Sequence, residues 1–83
     1  MTLTQTPGTE QAAQLDARGL KCPMPIVKTA QAIKTLAPGE LLEVLATDPG
    51  SVADFSAWSR STGNSLVTNS EQDGVYRFVL RRK

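Results

Sequence analysis

The residues best suited to chemistry lie together in one short stretch, Arg18-Gly19-Leu20-Lys21-Cys22-Pro23-Met24-Pro25. Cys22 is the only cysteine in 83 residues, and the chain contains no histidine. That combination excludes a Cys-His dyad, a Ser-His-Asp triad, the usual zinc ligand sets and an internal disulfide. Nucleophilic chemistry of a single thiolate is what remains. An amphipathic run begins at Pro23, so the spacing places Cys22 at the N-cap of a helix or beside it. Pro23 and Pro25 fall in the first turn, where a missing N–H has no intrahelical partner to lose. The free N–H groups and the macrodipole of such a terminus favour a thiolate, and Arg18 and Lys21 add to that field. The expectation is an exposed thiol of lowered pKa on a glycine-containing loop. A free cysteine is more often a small buried hydrophobe; the two prolines and the basic neighbours argue against that here.

Composition bounds the setting. A chain of 83 residues, 40% of them hydrophobic, makes one globular domain with a modest core. A net charge of +1 argues against a strongly charged nucleic-acid binder. No apolar run approaches the roughly 18 residues needed to span a membrane. The first residues, Met1-Thr2-Leu3-Thr4-Gln5-Thr6, lack the basic and apolar regions of a secretory signal. The expected location is the reducing cytoplasm, where a single reactive thiol stays free.

The elements that position the thiol follow from apolar periodicity. Residues 1–11 are rich in Thr, Gln, Pro and Gly and are expected to form a disordered tail, leaving 12–83 as the domain. Ala12–Arg18 reads as a strand, with Leu15 and Ala17 on one face and Asp16 on the other. Pro23–Ala37 reads as a helix. Ile26, Ala30, Ile33 and Ala37 share one face, flanked by Val27 and Leu36, and Lys28, Gln31 and Thr35 lie opposite. Pro38-Gly39 ends it. Leu41–Thr47 carries apolar residues on both faces, as an interior strand does. Asp48-Pro49-Gly50-Ser51 is a second strand-to-helix junction, with Asp48 or Ser51 as its cap. Ser51–Thr62 reads as a helix with Val52, Phe55 and Ser59 toward the core and Trp58 on its flank. Gly63-Asn64 closes it. Ser65–Glu71 and Val75–Arg82 read as a hairpin around Asp73-Gly74. In the last strand Tyr76, Phe78 and Leu80 should meet the helices, with Arg77 and Arg81 on the open face. The order β-α-β-α-β-β, with right-handed crossovers, predicts a two-layer α/β sandwich with both helices on one face of a four-stranded sheet.

Taken together, Leu15, Asp16, Gly19, Cys22, Pro23 and Pro25 complete the pattern L-D-x-x-G-x-x-C-P-x-P, and the chain resembles the TusA/SirA-like sulfur-carrier family. Pro38-Gly39-Glu40 and Asp48-Pro49 are also similar, and the likeness runs from about residue 13 to 82. The resemblance implies a mixed sheet in the order 1-2-4-3 with strand 4 antiparallel. It implies that Cys22 carries sulfur as a persulfide, with no other cofactor and no metal. A cysteine desulfurase or a rhodanese-type transferase would load it. A downstream acceptor protein would take the sulfur, in tRNA 2-thiouridine synthesis, molybdenum-cofactor maturation or sulfur oxidation. The chain would then be a sulfurtransferase-type carrier working with partner enzymes, as a monomer, with no direct nucleic-acid or membrane contact. Persulfide relay is thiolate attack on a sulfane sulfur, akin to thiol–disulfide exchange, and needs no histidine base.

Around Cys22, Asp16 is expected to bond the loop backbone and Gly19 to supply a positive φ. Arg18, Lys21 and Lys28 are candidates for steering acidic partner surfaces. Asp48, at the same sheet edge as Cys22, is a docking candidate whose simpler role is helix capping. Trp58 reads as partly buried, and Arg81-Arg82-Lys83 as a solvated terminus. Two rival readings use other features. One is a nucleic-acid-binding module on the Arg77, Arg81, Arg82, Lys83 face, by analogy with a translation-initiation-factor domain of this fold. The other is a redox-responsive module in which Cys22 pairs with a partner's thiol.

Overall fold

Alternating and helical apolar patterns resolve into six elements: β1 (Ala13–Ala17), α1 (Met24–Ile33), β2 (Leu41–Ala46), α2 (Ser51–Thr62), β3 (Ser65–Gln72) and β4 (Val75–Arg81). They are taken from a computed structural model that describes residues 12–83, so the tail expected over 1–11 lies outside the described residues. The strands fall within one residue of the expected boundaries.

The sheet order is β1-β2-β4-β3. β1 pairs with β2 in parallel, and β4 runs antiparallel to both β2 and β3. The two crossovers therefore join co-directional strands, but β2 and β3 are not neighbours, because the closing hairpin inserts β4 between them. Asp73 and Gly74 turn that hairpin with positive φ at both positions, as a two-residue type I′ turn requires.

Both helices cover one face, α1 over β1 and β2 and α2 over β3 and β4. The inward residues follow the period of two: Ala17 of β1, Leu42, Val44 and Ala46 of β2, and Phe78 and Leu80 of β4 are all buried. Phe55 of α2 stacks on Phe78, with ring centroids 4.3 Å apart. Tyr76 and Trp58 pack partly buried against this cluster. Arg77 lies on the open face, where it pairs with Glu43.

The helices depart from the periodicity in two respects. α1 stops at Ile33 rather than Ala37. Thr35 and Leu36 donate to the carbonyls three residues back, so the chain tightens into turns. Pro38 disfavours a helical Ala37, and the segment is tied to Arg82, just past β4, by the Arg82 side chain on the Leu36 carbonyl and by the Gly39 N–H on the Arg82 carbonyl. The buried stripe of α1 is Pro25, Thr29 and Ile33, rotated from the expected Ile26-Ala30-Ile33-Ala37 face. Ile26 and Leu36 flank it, and Ala37 is exposed beyond the helix. Val52 of α2 points outward at 42% exposure, while Phe55 alone anchors the middle of that face. The short loop that precedes each helix, from β1 into α1 and from β2 into α2, fixes how that helix lands on the sheet, and sequence period alone does not encode that rotation.

Candidate functional site

Parallel β1 and β2 end at the same sheet edge, and α1 and α2 both start there. The two strand-to-helix loops therefore lie side by side, and Cys22 sits where they meet. The β1–α1 loop is built by short-range bonds. Asp16 accepts the Arg18 backbone N–H at 3.0 Å and grips its guanidinium with both oxygens at 2.9 Å. Those bonds hold the Asp16 carboxyl at about 2, well below the usual carboxylate range. Gly19 takes φ +83, as expected for it, and its N–H donates to the Thr47 hydroxyl at 2.9 Å. The Cys22 N–H donates to Asp48 Oδ2 at 3.2 Å. Each loop is thus pinned to the other.

Cys22 is exposed and its thiol is free of any disulfide. Of the two expected positions, at the N-cap or beside it, Cys22 takes the second. Pro23 is the N-cap, joined to Cys22 by a cis peptide bond, so Cys22 stands just outside the helix. Asp48 does not cap α2 and neither does Ser51; the N-cap is Gly50, without a side-chain bond. The Asp48 carboxylate is instead used on Cys22, and its carbonyl accepts the Ser51 N–H at 3.0 Å.

The electrostatics correct the sequence expectation of a lowered pKa. Cys22 Sγ donates to Asp54 Oδ2 at 2.7 Å, and that bond, with partial desolvation and the negative charges of Asp54 and Asp48, pushes the thiol above its ordinary range. The helix terminus cannot compensate, because it is short of donors. Pro23 and Pro25 have no N–H, and the Met24 N–H is taken by the Lys21 carbonyl at 2.8 Å. Arg18 does not counter the carboxylates, being held by Asp16. Lys21 and Lys28 are exposed, and the ion pairs among the described residues involve neither.

The structure thus brings Asp48 onto Cys22 and sets Gly19 and Pro23 in the loop, with Pro25 buried beneath it. Asp16 shapes the loop from the other side of the sheet. Asp54 and Thr47 were missed by sequence reasoning. An acidic residue in the first turn of α2 was the one visible signal for Asp54, and ordinary dipole pairing accounts for such a residue without a thiol nearby. Among the described residues, no group of three or more His, Cys, Asp or Glu side chains could hold a metal ion, and no helix is long and apolar enough to cross a membrane. On the basic face, Arg77 is committed to Glu43 and Arg82 to the Leu36 carbonyl, which weakens the nucleic-acid reading.

Comparison with known proteins converges on one family. The family model described as Sulfurtransferase TusA matches residues 13–82. The sulfur carrier protein TusA of Allochromatium vinosum is 42% identical over 69 residues, which is 83% of this chain and 91% of that protein. A putative sulfur carrier protein of Halobacterium salinarum is 52% identical, over 82% of this chain and 85% of its own. Among solved structures, a SirA-like protein from Desulfitobacterium hafniense aligns with a TM-score of 0.74 over 83% of this chain and 95% of that one. At 24% identity this is a likeness of fold.

Proposed function

The chain belongs to the TusA sulfurtransferase family, and from that premise we propose that it carries sulfane sulfur as a persulfide on Cys22 between a donor and an acceptor protein. The observation that carries the reading is the exposed, undisulfided Cys22 on a loop pinned at the shared start of two helices. Two identical chemical steps suffice. In loading, the Cys22 thiolate attacks the outer sulfur of a donor cysteine persulfide. A new S–S bond forms at Sγ, the donor's S–S bond breaks, and the donor cysteine leaves as a thiolate. In delivery, an acceptor thiolate attacks the outer sulfur on Cys22, and Cys22 is the leaving group. Neither step changes the overall oxidation level, so no external oxidant or reductant is consumed. The chain needs only to present the thiol, which is what a rigid loop outside a helix terminus does.

A cysteine desulfurase or a rhodanese-type transferase is the proposed donor, and a cysteine-bearing protein of tRNA 2-thiolation, molybdenum-cofactor maturation or sulfur oxidation the acceptor. Lys21, next to Cys22 in the chain, and Lys28, further along α1, are both exposed and are the proposed contacts for acidic partner surfaces, together with Asp48. We place the protein in the reducing cytoplasm, acting as a monomer, where its thiol stays available. The test is sulfur transfer from a desulfurase supplied with labelled cysteine, or from a rhodanese supplied with labelled thiosulfate. Label should reach the native chain and not Cys22→Ser. Equal labelling of the serine variant would overturn the reading.

A further inference from the structure

We propose that Asp54 is a positioning residue of the sulfur relay, holding the unloaded Cys22 as a thiol aimed across the gap between the two helix starts and masking its nucleophile in the free carrier. The inference rests on the reading of Cys22 as the sulfur-bearing residue and adds how that residue is regulated.

The geometry is that of a preset contact. Sγ lies 2.7 Å from Asp54 Oδ2. The carboxylate is carried by the first turn of α2, where the Asp54 N–H donates to the Gly50 carbonyl at 3.1 Å. The next residue, Phe55, is fully buried against Phe78, so the turn that bears Asp54 is anchored in the core. On the other side the Cys22 backbone is fixed by Asp48. Both partners of the Sγ–H···O contact are thus held by separate elements. A carboxylate so placed accepts a proton-bearing sulfur and repels a bare thiolate.

The surrounding charges leave Asp54 dominant. Asp48, from the β2–α2 loop, has the same sign. Arg18 is bound to Asp16. Lys21 precedes Cys22, Lys28 lies further along α1, and the ion pairs among the described residues, Arg18–Asp16 and Arg77–Glu43, leave Asp54 without a cation. The thiol's upward shift has its largest cause in the Asp54 hydrogen bond. For Cys22 to attack, its S–H bond must break, the electron pair staying on sulfur and the proton passing to solvent. Asp54 opposes that ionisation.

The experiment is the rate of Cys22 alkylation by iodoacetamide as a function of pH, in the native chain, Asp54→Asn and Asp54→Glu. Here an Sγ–C bond forms, iodide leaves and the thiol proton goes to buffer, so the rate follows the thiolate fraction. In Asp54→Asn the midpoint should move to lower pH and alkylation at neutral pH should rise several-fold. Asp54→Glu should return the profile toward the native one. The same midpoint in native and Asp54→Asn would overturn the proposal, as would a shift to higher pH. Thermal melts by circular dichroism establish that each variant is folded, and Asp54→Ser replaces Asp54→Asn if the latter is not. Alkylation needs no sulfur donor. A shifted midpoint without sulfur loading would therefore refute the carrier reading, whereas loading with an unshifted midpoint would refute only the role of Asp54.

Discussion

Cys22 and Asp54 are 32 residues apart in the chain, yet Sγ and Oδ2 stand 2.7 Å apart. Parallel β1 and β2 bring this about, because each strand leads into a helix at the same sheet edge. The contact reverses the simplest expectation for a cysteine before a helix. A helix start supplies positive potential through free N–H groups, but α1 has one proline at its N-cap, Pro23, and another in its first turn, Pro25, and α2 contributes a carboxylate.

The Asp16–Arg18 clasp should show in the acid limb of stability. Asp16 is held at about 2 in the folded chain, against about 3.9 for an unperturbed aspartate. The unfolded chain therefore takes up the proton first as pH falls. The clasp contributes fully above the unfolded value and is lost as pH drops through about 2. Urea unfolding of native and Asp16→Asn should differ at neutral pH and converge in strong acid. A constant difference across that range would contradict the assignment.

Gly19→Ala should destabilise through the backbone alone. Gly19 has φ +83, and a Cβ there would meet nothing within 4 Å. The cost is that of a left-handed residue, about 1–2 kcal/mol. For a domain of this size each kcal/mol lowers Tm by about 4–8 °C. Gly19→Asn, which tolerates this conformation better, should lose less. Equal melting of the alanine variant and the native chain would show that the loop does not need the glycine.

Phe55→Ala removes a fully buried ring stacked on Phe78. Truncation of such a ring costs about 3–5 kcal/mol, a large part of the stability of a small domain. Denaturant midpoints will measure it. Since Phe55 anchors the turn that bears Asp54, Phe55→Leu should retain the fold and widen the spread of Cys22 alkylation rates with temperature.

Thr29 is fully buried in α1, and its hydroxyl has no hydrogen-bond partner among the described residues. Thr29→Val keeps the shape and removes the unpaired group. It should be neutral or stabilising by about 1 kcal/mol. A loss of stability would mean that the hydroxyl is bonded through water.

Much of the fold was legible. Alternation at Leu15 and Ala17, apolar residues on both faces of Leu41–Ala46, and Asp73-Gly74 set the strands and the hairpin, since strand period and turn chemistry are local. The exposed thiol of Cys22 and the positive φ of Gly19 were legible for the same reason. The rotation of α1 that buries Thr29 was not, because it depends on how a short loop lands a helix on the sheet. Asp48 was read as a cap from its place before a helix, but its carboxylate finds a donor in the adjoining loop. Asp54 became visible only once the two crossovers were in register. The thiol's electrostatics required both aspartates, and local spacing could not supply them.

The most direct measurement is intact-mass spectrometry of the chain after incubation with a cysteine desulfurase and cysteine, and in parallel with a rhodanese and thiosulfate, without reductant. Both Cys22→Ser and the native chain pre-alkylated at Cys22 serve as controls. A gain of one or more sulfur atoms on the native chain, absent from both controls and reversed by a thiol reductant, is the predicted result. No gain from either donor, or the same gain on Cys22→Ser, would contradict the assignment of Cys22 as the carrier.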